Sequence, residues 1–448
     1  MKKSKLFSTV LVVIILIGVA FYIFYLAPSL KIASGYTAKY VCSATFVSGL
    51  EEEVINIDLD LFLVNKVKYT INREEKYVEA SLFGIGKHRA YYYQTEDNCG
   101  CNLNIDKDKR KFSGKSPLNK NLILDTVAWP YGDKLSDTVF EGVDLEKIKQ
   151  IVHQTLDTNS ATRAITIVYK NNLIAEEYAP GITATTRLLG WSMTKTMCNA
   201  LIGNLVKNGL LDINKPASFP EWQNDERKNI TVNNLIQMSS GLKWVEDYAV
   251  LSNVTKMLYL ERDLGAYAAS VPFLSNPDEN WVYSSGTTNI LSEIIRKSLP
   301  DEQHYHDFLY DSLFDVLGMR SALVEMDDAG TYIFSSYGWA TARDWTRFGM
   351  LYLNKGMANG KEVFTPEWAD YSETPASASG GRYGAQIWLN SAKIELPNAP
   401  ADAFYEDGFG GQRVLVIPSK EMMVVMLSGQ QKDFDFNPFV AKLLECIP

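Results

Sequence analysis

The chain has 448 residues, 46% apolar and 22% charged, with a net charge of −9. That length allows one large domain plus a smaller one. The acidic balance, with no basic cluster beyond the first residues, argues against a nucleic-acid partner, because phosphate contact requires a face rich in Lys and Arg.

Residues 1–30 stand apart. Lys2, Lys3 and Lys5 precede an uncharged, almost wholly apolar stretch from 6 to 26. About 20 such residues can cross a bilayer as a helix. A cleavable signal has a shorter apolar core, roughly 7–15 residues, so an uncleaved anchor is the favoured reading and secretion after signal cleavage the alternative. The lysines precede the span, which places the rest of the chain outside the cytoplasm, periplasmic or extracellular. In that compartment Cys42 can pair with Cys99 or Cys101, or all five cysteines stay reduced. Cys99-Gly100-Cys101 lacks the further ligands of a zinc site.

Residues 31–140 read as a β-rich region, with strands expected at 54–64, 67–71, 77–82 and 90–93. Pro117, Pro130 and Gly132 mark a boundary between 115 and 145. From 141 to 448 the pattern is mixed. An amphipathic helix is expected at 145–156 and a hairpin at 164–169 and 173–178, turning at Asn171-Asn172. A largely buried helix follows from Ser192 to Val206, with Gly209 as its stop. Thr231 can cap a helix reaching Met238, and Ser336 to Leu353 reads as a loop entering a helix at Thr341. An apolar helical pattern follows Tyr283, strands at 413–418 and 422–427 form a second hairpin, and a helix at 438–446 ends the chain. Strands at both ends with helices between predict an α+β fold, an antiparallel sheet flanked by helices with a helical insertion.

The chemistry centres on Ser192 and Lys195. Three residues apart at a helix start, they share a face. A serine hydroxyl needs a neighbour to take its proton, and a lysine whose pKa is depressed can do so. The Ser192 N–H can face a developing oxyanion. A second Ser-x-x-Lys, Ser240 to Lys243, contains Gly241 and reads as a loop. Tyr283, drawn toward phenolate by a nearby ammonium, could relay a proton; alone, among 24 tyrosines, it reads more readily as a partly buried tyrosine with a satisfied hydroxyl. Gly408-Phe409-Gly410-Gly411 lets backbone approach a ligand, so that the Phe409 N–H could be a second oxyanion donor; a tight turn into the next strand fits the same letters. His304 and His306 read as a solvated pair, and the four histidines have no triad context. No HExxH or Gly-rich dinucleotide motif is present, and neither metal nor cofactor is expected.

Taken together, Trp191 to Lys195, Leu235 to Leu242, Tyr283 to Gly286, Ala340 to Asp344 and Gly408 to Gln412 resemble the serine β-lactamase-like hydrolase superfamily of class C β-lactamases, DD-peptidases and esterases. The resemblance covers about 141–448. It implies Ser192 as acylated nucleophile, Lys195 as its base, Tyr283 as second acid/base, and the Ser192 and Phe409 N–H groups as oxyanion hole. Two departures stand out. Ser285 replaces the Asn of Tyr-x-Asn, and Glu406-Asp407 stand where Lys-Thr would precede Gly408. A β-lactam carboxylate would meet acids there. The pattern is therefore more similar to the 6-aminohexanoate-dimer hydrolase and esterase branch, in which the loop carrying Trp244, Glu246 and Tyr248 helps bind substrate. Tyr248, with Ser285 and Gly408, is the expected substrate contact. The expected function is hydrolysis of a small-molecule ester or amide through an acyl-enzyme. The alternatives are a DD-peptidase or β-lactamase acting on cell-wall-type amides, and a non-catalytic sensor of the same fold.

Overall fold

The computed structural model describes residues 2–61, 63–95, 98–103, 122–249, 251–430 and 434–448. Its first element is one continuous helix. Lys2–Phe21 passes through a π-helical turn, Tyr22–Leu26, into Ala27–Ser43 and a second π turn, Ala44–Ser48. It stops at Gly49, whose φ of 75° only glycine adopts without strain. The two halves of this helix differ. Apolar side chains from Phe7 to Leu26 are exposed, whereas residues 33–45 are buried on every side. A helix made of small and apolar residues all round is a core helix. Gly35 shows the closeness of packing, since a Cβ there would meet His88 at 2.9 Å and Tyr259 at 3.2 Å.

This corrects the expected β-rich region at its start. Residues 31–48 are helical, and the strand expected at 54–64 is the short helix Glu52–Asp58 followed by turns. Glu52 and Glu53 occupy the first turn of that helix, where carboxylates favour helical structure through the helix dipole. The other strands expected there lie in a four-stranded antiparallel sheet of Val67–Asn72, Tyr77–Leu82, Ile85–Thr95 and Asn98–Leu103. Cys42 on the long helix is disulfide-bonded to Cys101 of the last strand, with Cα atoms 6.0 Å apart.

The central sheet has six antiparallel strands in the order Trp388–Leu389, Phe404–Gly408, Gln412–Ile417, Met422–Ser428, Thr162–Tyr169 and Asn172–Tyr178. Both expected hairpins are present. Lys170 and Asn171 take the positive φ values (46° and 60°) that a tight hairpin turn requires. Alternation along the strands builds two apolar layers. Ile165, Ile167, Leu415 and Val424 pack under the helices Leu145–Thr158 and Phe436–Leu444. Ala164, Val168, Val414 and Met423 face the main core, against the helix Ala342–Leu353. That second core is continuous with the buried half of the long helix.

Polar contacts fasten the long helix to the rest of the domain. Lys39 is paired with Glu325, which also accepts from Ser43 Oγ at 2.7 Å and from the Cys101 N–H at 2.9 Å. Tyr40 donates to Asp58, and each oxygen of that carboxylate also accepts from Arg163 at 2.7 Å. Buried charges are tolerable only when paired and hydrogen-bonded, as these are. The expected solvated histidine pair is also corrected. On the helix Glu302–Leu309, His304 is exposed and His306 is buried, because residues two apart point to different sides.

Candidate active site

The short strand Leu188–Leu189 pairs with Gly338–Ala340 and delivers the chain to Gly190, whose N–H donates to Gly338 O at 2.9 Å. A sharp turn follows. Trp191 has φ 48°, a conformation costly for a bulky residue, and the surroundings hold it. Its indole lies parallel to the rings of Tyr36 (6.1 Å) and Tyr40 (6.3 Å) from the long helix, and meets the edge of Phe409 at 5.5 Å. Thr194 Oγ1 donates to Trp191 O at 2.7 Å and accepts from the Gly338 N–H at 3.0 Å. This turn, a 3₁₀ segment over Trp191–Met193, presents Ser192 just before the buried helix Thr194–Lys207, as its motif predicts.

Lys195 is 1% exposed. Its Nζ lies 2.8 Å from Ser192 Oγ, 2.8 Å from the Ser335 carbonyl oxygen and 3.1 Å from Ser285 Oγ. Burial lowers its pKa from 10.5 to about 8, against the opposing pull of Glu246. Ser285 donates its own proton to Glu246 and so accepts from Lys195. The Ser335 carbonyl can only accept. A neutral amine at Lys195 therefore spends its two N–H bonds on these acceptors, leaving its lone pair for the Ser192 hydroxyl proton.

Glu246 is held by the Ser285 N–H at 2.9 Å and the Trp244 indole N–H at 2.5 Å. Its position beside Ser285 is a finding that the sequence motifs did not supply. Trp244 and Glu246 come from one loop segment, two residues apart, and the indole N–H of the first holds the carboxylate of the second. Ser285, expected as a substrate contact, instead joins Lys195 to Glu246. The Tyr248 hydroxyl lies near Ser285 and Ser336, and its ring stacks on Phe409 at 5.0 Å.

The Tyr283 hydroxyl lies near Ser192, and Lys195 Nζ stands 4.9 Å above the ring of Tyr283. Burial drives this phenol well above its usual range, with the neighbouring Tyr383 and Glu246 adding to the effect. The expected drift toward phenolate is thus reversed: Tyr283 is a protonated donor. The ammonium meets its π face rather than its oxygen.

The strand Phe404–Gly408 runs beside the nucleophile turn. A Cβ on Gly408 would fall 2.2 Å from Gly190 O, so only glycine permits this approach. The approach brings the end of this strand against the turn that carries Ser192. Of the two acids preceding Gly408, Asp407 is tied to Arg413 at 2.8 Å. Glu406 is buried, and burial holds its carboxyl well above the usual range. The second Ser-x-x-Lys lies in a loop, with Gly241 at φ 75°. Among the described residues, no cluster of three His, Cys, Asp or Glu could hold a metal ion.

Known proteins share this fold. The family model described as Beta-lactamase matches residues 148–444. A curated 6-aminohexanoate-dimer hydrolase from Paenarthrobacter ureafaciens is 24% identical over 224 residues, which is 47% of this chain and 57% of that protein. The chain thus matches a little over half of that relative's length. Among solved structures, a candidate 6-aminohexanoate-dimer hydrolase from Bacillus anthracis superposes with a TM-score of 0.56 at 22% identity, covering 65% of this chain and 80% of that one. A family VIII carboxylesterase gives 0.55 at 15% identity over 70% and 98%. The family match spans the central sheet, the Ser192–Lys195 helix and the Gly408 strand together, and the chain belongs to the Beta-lactamase family.

Proposed function

We propose that this hydrolase-family chain cleaves a carboxylic ester or amide through an acyl-enzyme on Ser192, in a domain held outside the cytoplasm by its N-terminal helix. The observation that carries the reading is the 2.8 Å contact between Ser192 Oγ and a fully buried Lys195 whose two other partners are acceptors. In the first step neutral Lys195 takes the Ser192 proton as Oγ attacks the carbonyl carbon. The oxyanion forms against the Ser192 and Phe409 N–H groups. The Tyr283 phenol donates to the departing oxygen or nitrogen and is reprotonated from Lys195. Water then attacks the acyl-enzyme by the reverse route, releasing the acid. Similarity to an amide hydrolase and an esterase supports both substrate classes. The absence of a lysine before Gly408 favours this reading over a β-lactamase or DD-peptidase, which would bind a substrate carboxylate there.

The anchor reading has its own support. The apolar helix has a mean hydropathy of 2.9 in its most apolar window and continues without a break into the core. The test of the site is labelling with a small fluorophosphonate. Wild type should label, and Ser192→Ala and Lys195→Ala should not. Full labelling of either variant would sink the scheme.

A further inference from the structure

Between the long helix and the catalytic loops lies a cavity of about 450 Å³, within the size range of small-molecule sites. One wall is a single stripe of the helix, Tyr25, Ser29, Ile32 and Tyr36, at the three- and four-residue spacing that keeps side chains on one face. That stripe is about 16 Å long at the rise of an α-helix. Its inner end is Tyr36, stacked on the Trp191 that precedes the nucleophile, and there Tyr248 and Phe409 close the cavity. Its outer end, Tyr25, belongs to the exposed apolar segment that forms the span. The cavity therefore runs from the rings packed on Trp191 to the level where the helix would leave the bilayer.

Resting on the serine-hydrolase reading, we infer that this cavity holds the acyl chain of a membrane amphiphile, so that the substrate is a long-chain carboxylic ester or amide drawn from the adjoining leaflet. An apolar chain entering along the Tyr25–Tyr36 stripe exchanges lipid contacts for apolar walls. Its carbonyl then arrives at Tyr248 and Phe409, the rings that meet Trp191, the residue before Ser192. A small polar ester would leave the cavity unfilled, and each buried methylene it lacks forfeits binding.

The test compares methyl and dodecyl fluorophosphonate labelling of the full chain in lipid nanodiscs, for wild type, Ser29→Trp and Ala249→Trp. Both positions line the cavity and neither belongs to the proposed catalytic set. Wild type should react at least tenfold faster with the dodecyl probe. Both tryptophan variants should lose that preference while keeping the methyl rate, which shows that they are folded and that partitioning into lipid is not the cause. Equal rates for the two probes in wild type, or a preference that survives in both variants, would overturn the acyl-chain assignment alone. Failure of the methyl probe to label wild type would overturn the serine-hydrolase reading, and this inference with it.

Discussion

The pH dependence of the first chemical step follows from Lys195. With its pKa lowered to about 8, this amine is neutral in about 9% of molecules at pH 7 and about 91% at pH 9. The rate of Ser192 attack should therefore rise about tenfold between those values, with its midpoint near pH 8. A lysine left at 10.5 would be neutral in only about 0.03% of molecules at pH 7. Burial thus supplies about 300-fold in active base at pH 7, worth about 3 kcal/mol. The assay is the second-order rate of fluorophosphonate labelling from pH 6.5 to 9.5, with Ser192→Ala as the blank. A rate that stays flat or falls over this range would refute the reasoning, since it would mean that the reactive form carries a charged Lys195. The same shift bears on stability. The folded pKa lies below the unfolded one, so between about 8 and 10.5 the unfolded chain binds more protons, and the contribution of Lys195 to stability rises with pH.

Glu246→Gln removes the carboxylate that opposes the depression of the Lys195 pKa. Its labelling midpoint should move below that of wild type, and an unmoved midpoint would show that Glu246 does not act on Lys195. Gly408→Ala places a methyl against Gly190 O and should push the oxyanion strand away, lowering kcat about 10²- to 10³-fold with circular dichroism unchanged. Lys39→Met leaves Glu325 buried without its cation and should cost about 3–5 kcal/mol in thermal unfolding, most of it recovered by adding Glu325→Gln.

The Thr194–Lys207 helix and the C-terminal hairpin were legible because their signals are local. Ser192 and Lys195 need only helical spacing, and the strands Gln412–Ile417 and Met422–Ser428 are nearly unbroken apolar runs. Residues 31–48 were misread for the opposite reason. Tyr36, Thr37, Tyr40 and Val41 have no strong helical preference, and their helix is imposed by burial against Trp191, Tyr259 and Glu325, far away in sequence. Glu246 lies 39 residues from Ser285, and no spacing rule joins them. The reversal at Tyr283 has a similar origin. A charged neighbour is visible in a motif, but how deeply the pair is buried is not.

The unbroken helix has a mechanical consequence. Ten residues separate the end of the exposed apolar segment at Leu26 from Tyr36 beneath the nucleophile turn. As a flexible tether, ten residues would let the domain wander over about 17 Å in any direction. As a helix they form a rod of about 15 Å with one direction. With its lower half in a bilayer, such a rod would set the working height of Ser192 and keep one face of the domain turned to the lipid, so that encounters would be sampled by lateral diffusion in a thin layer.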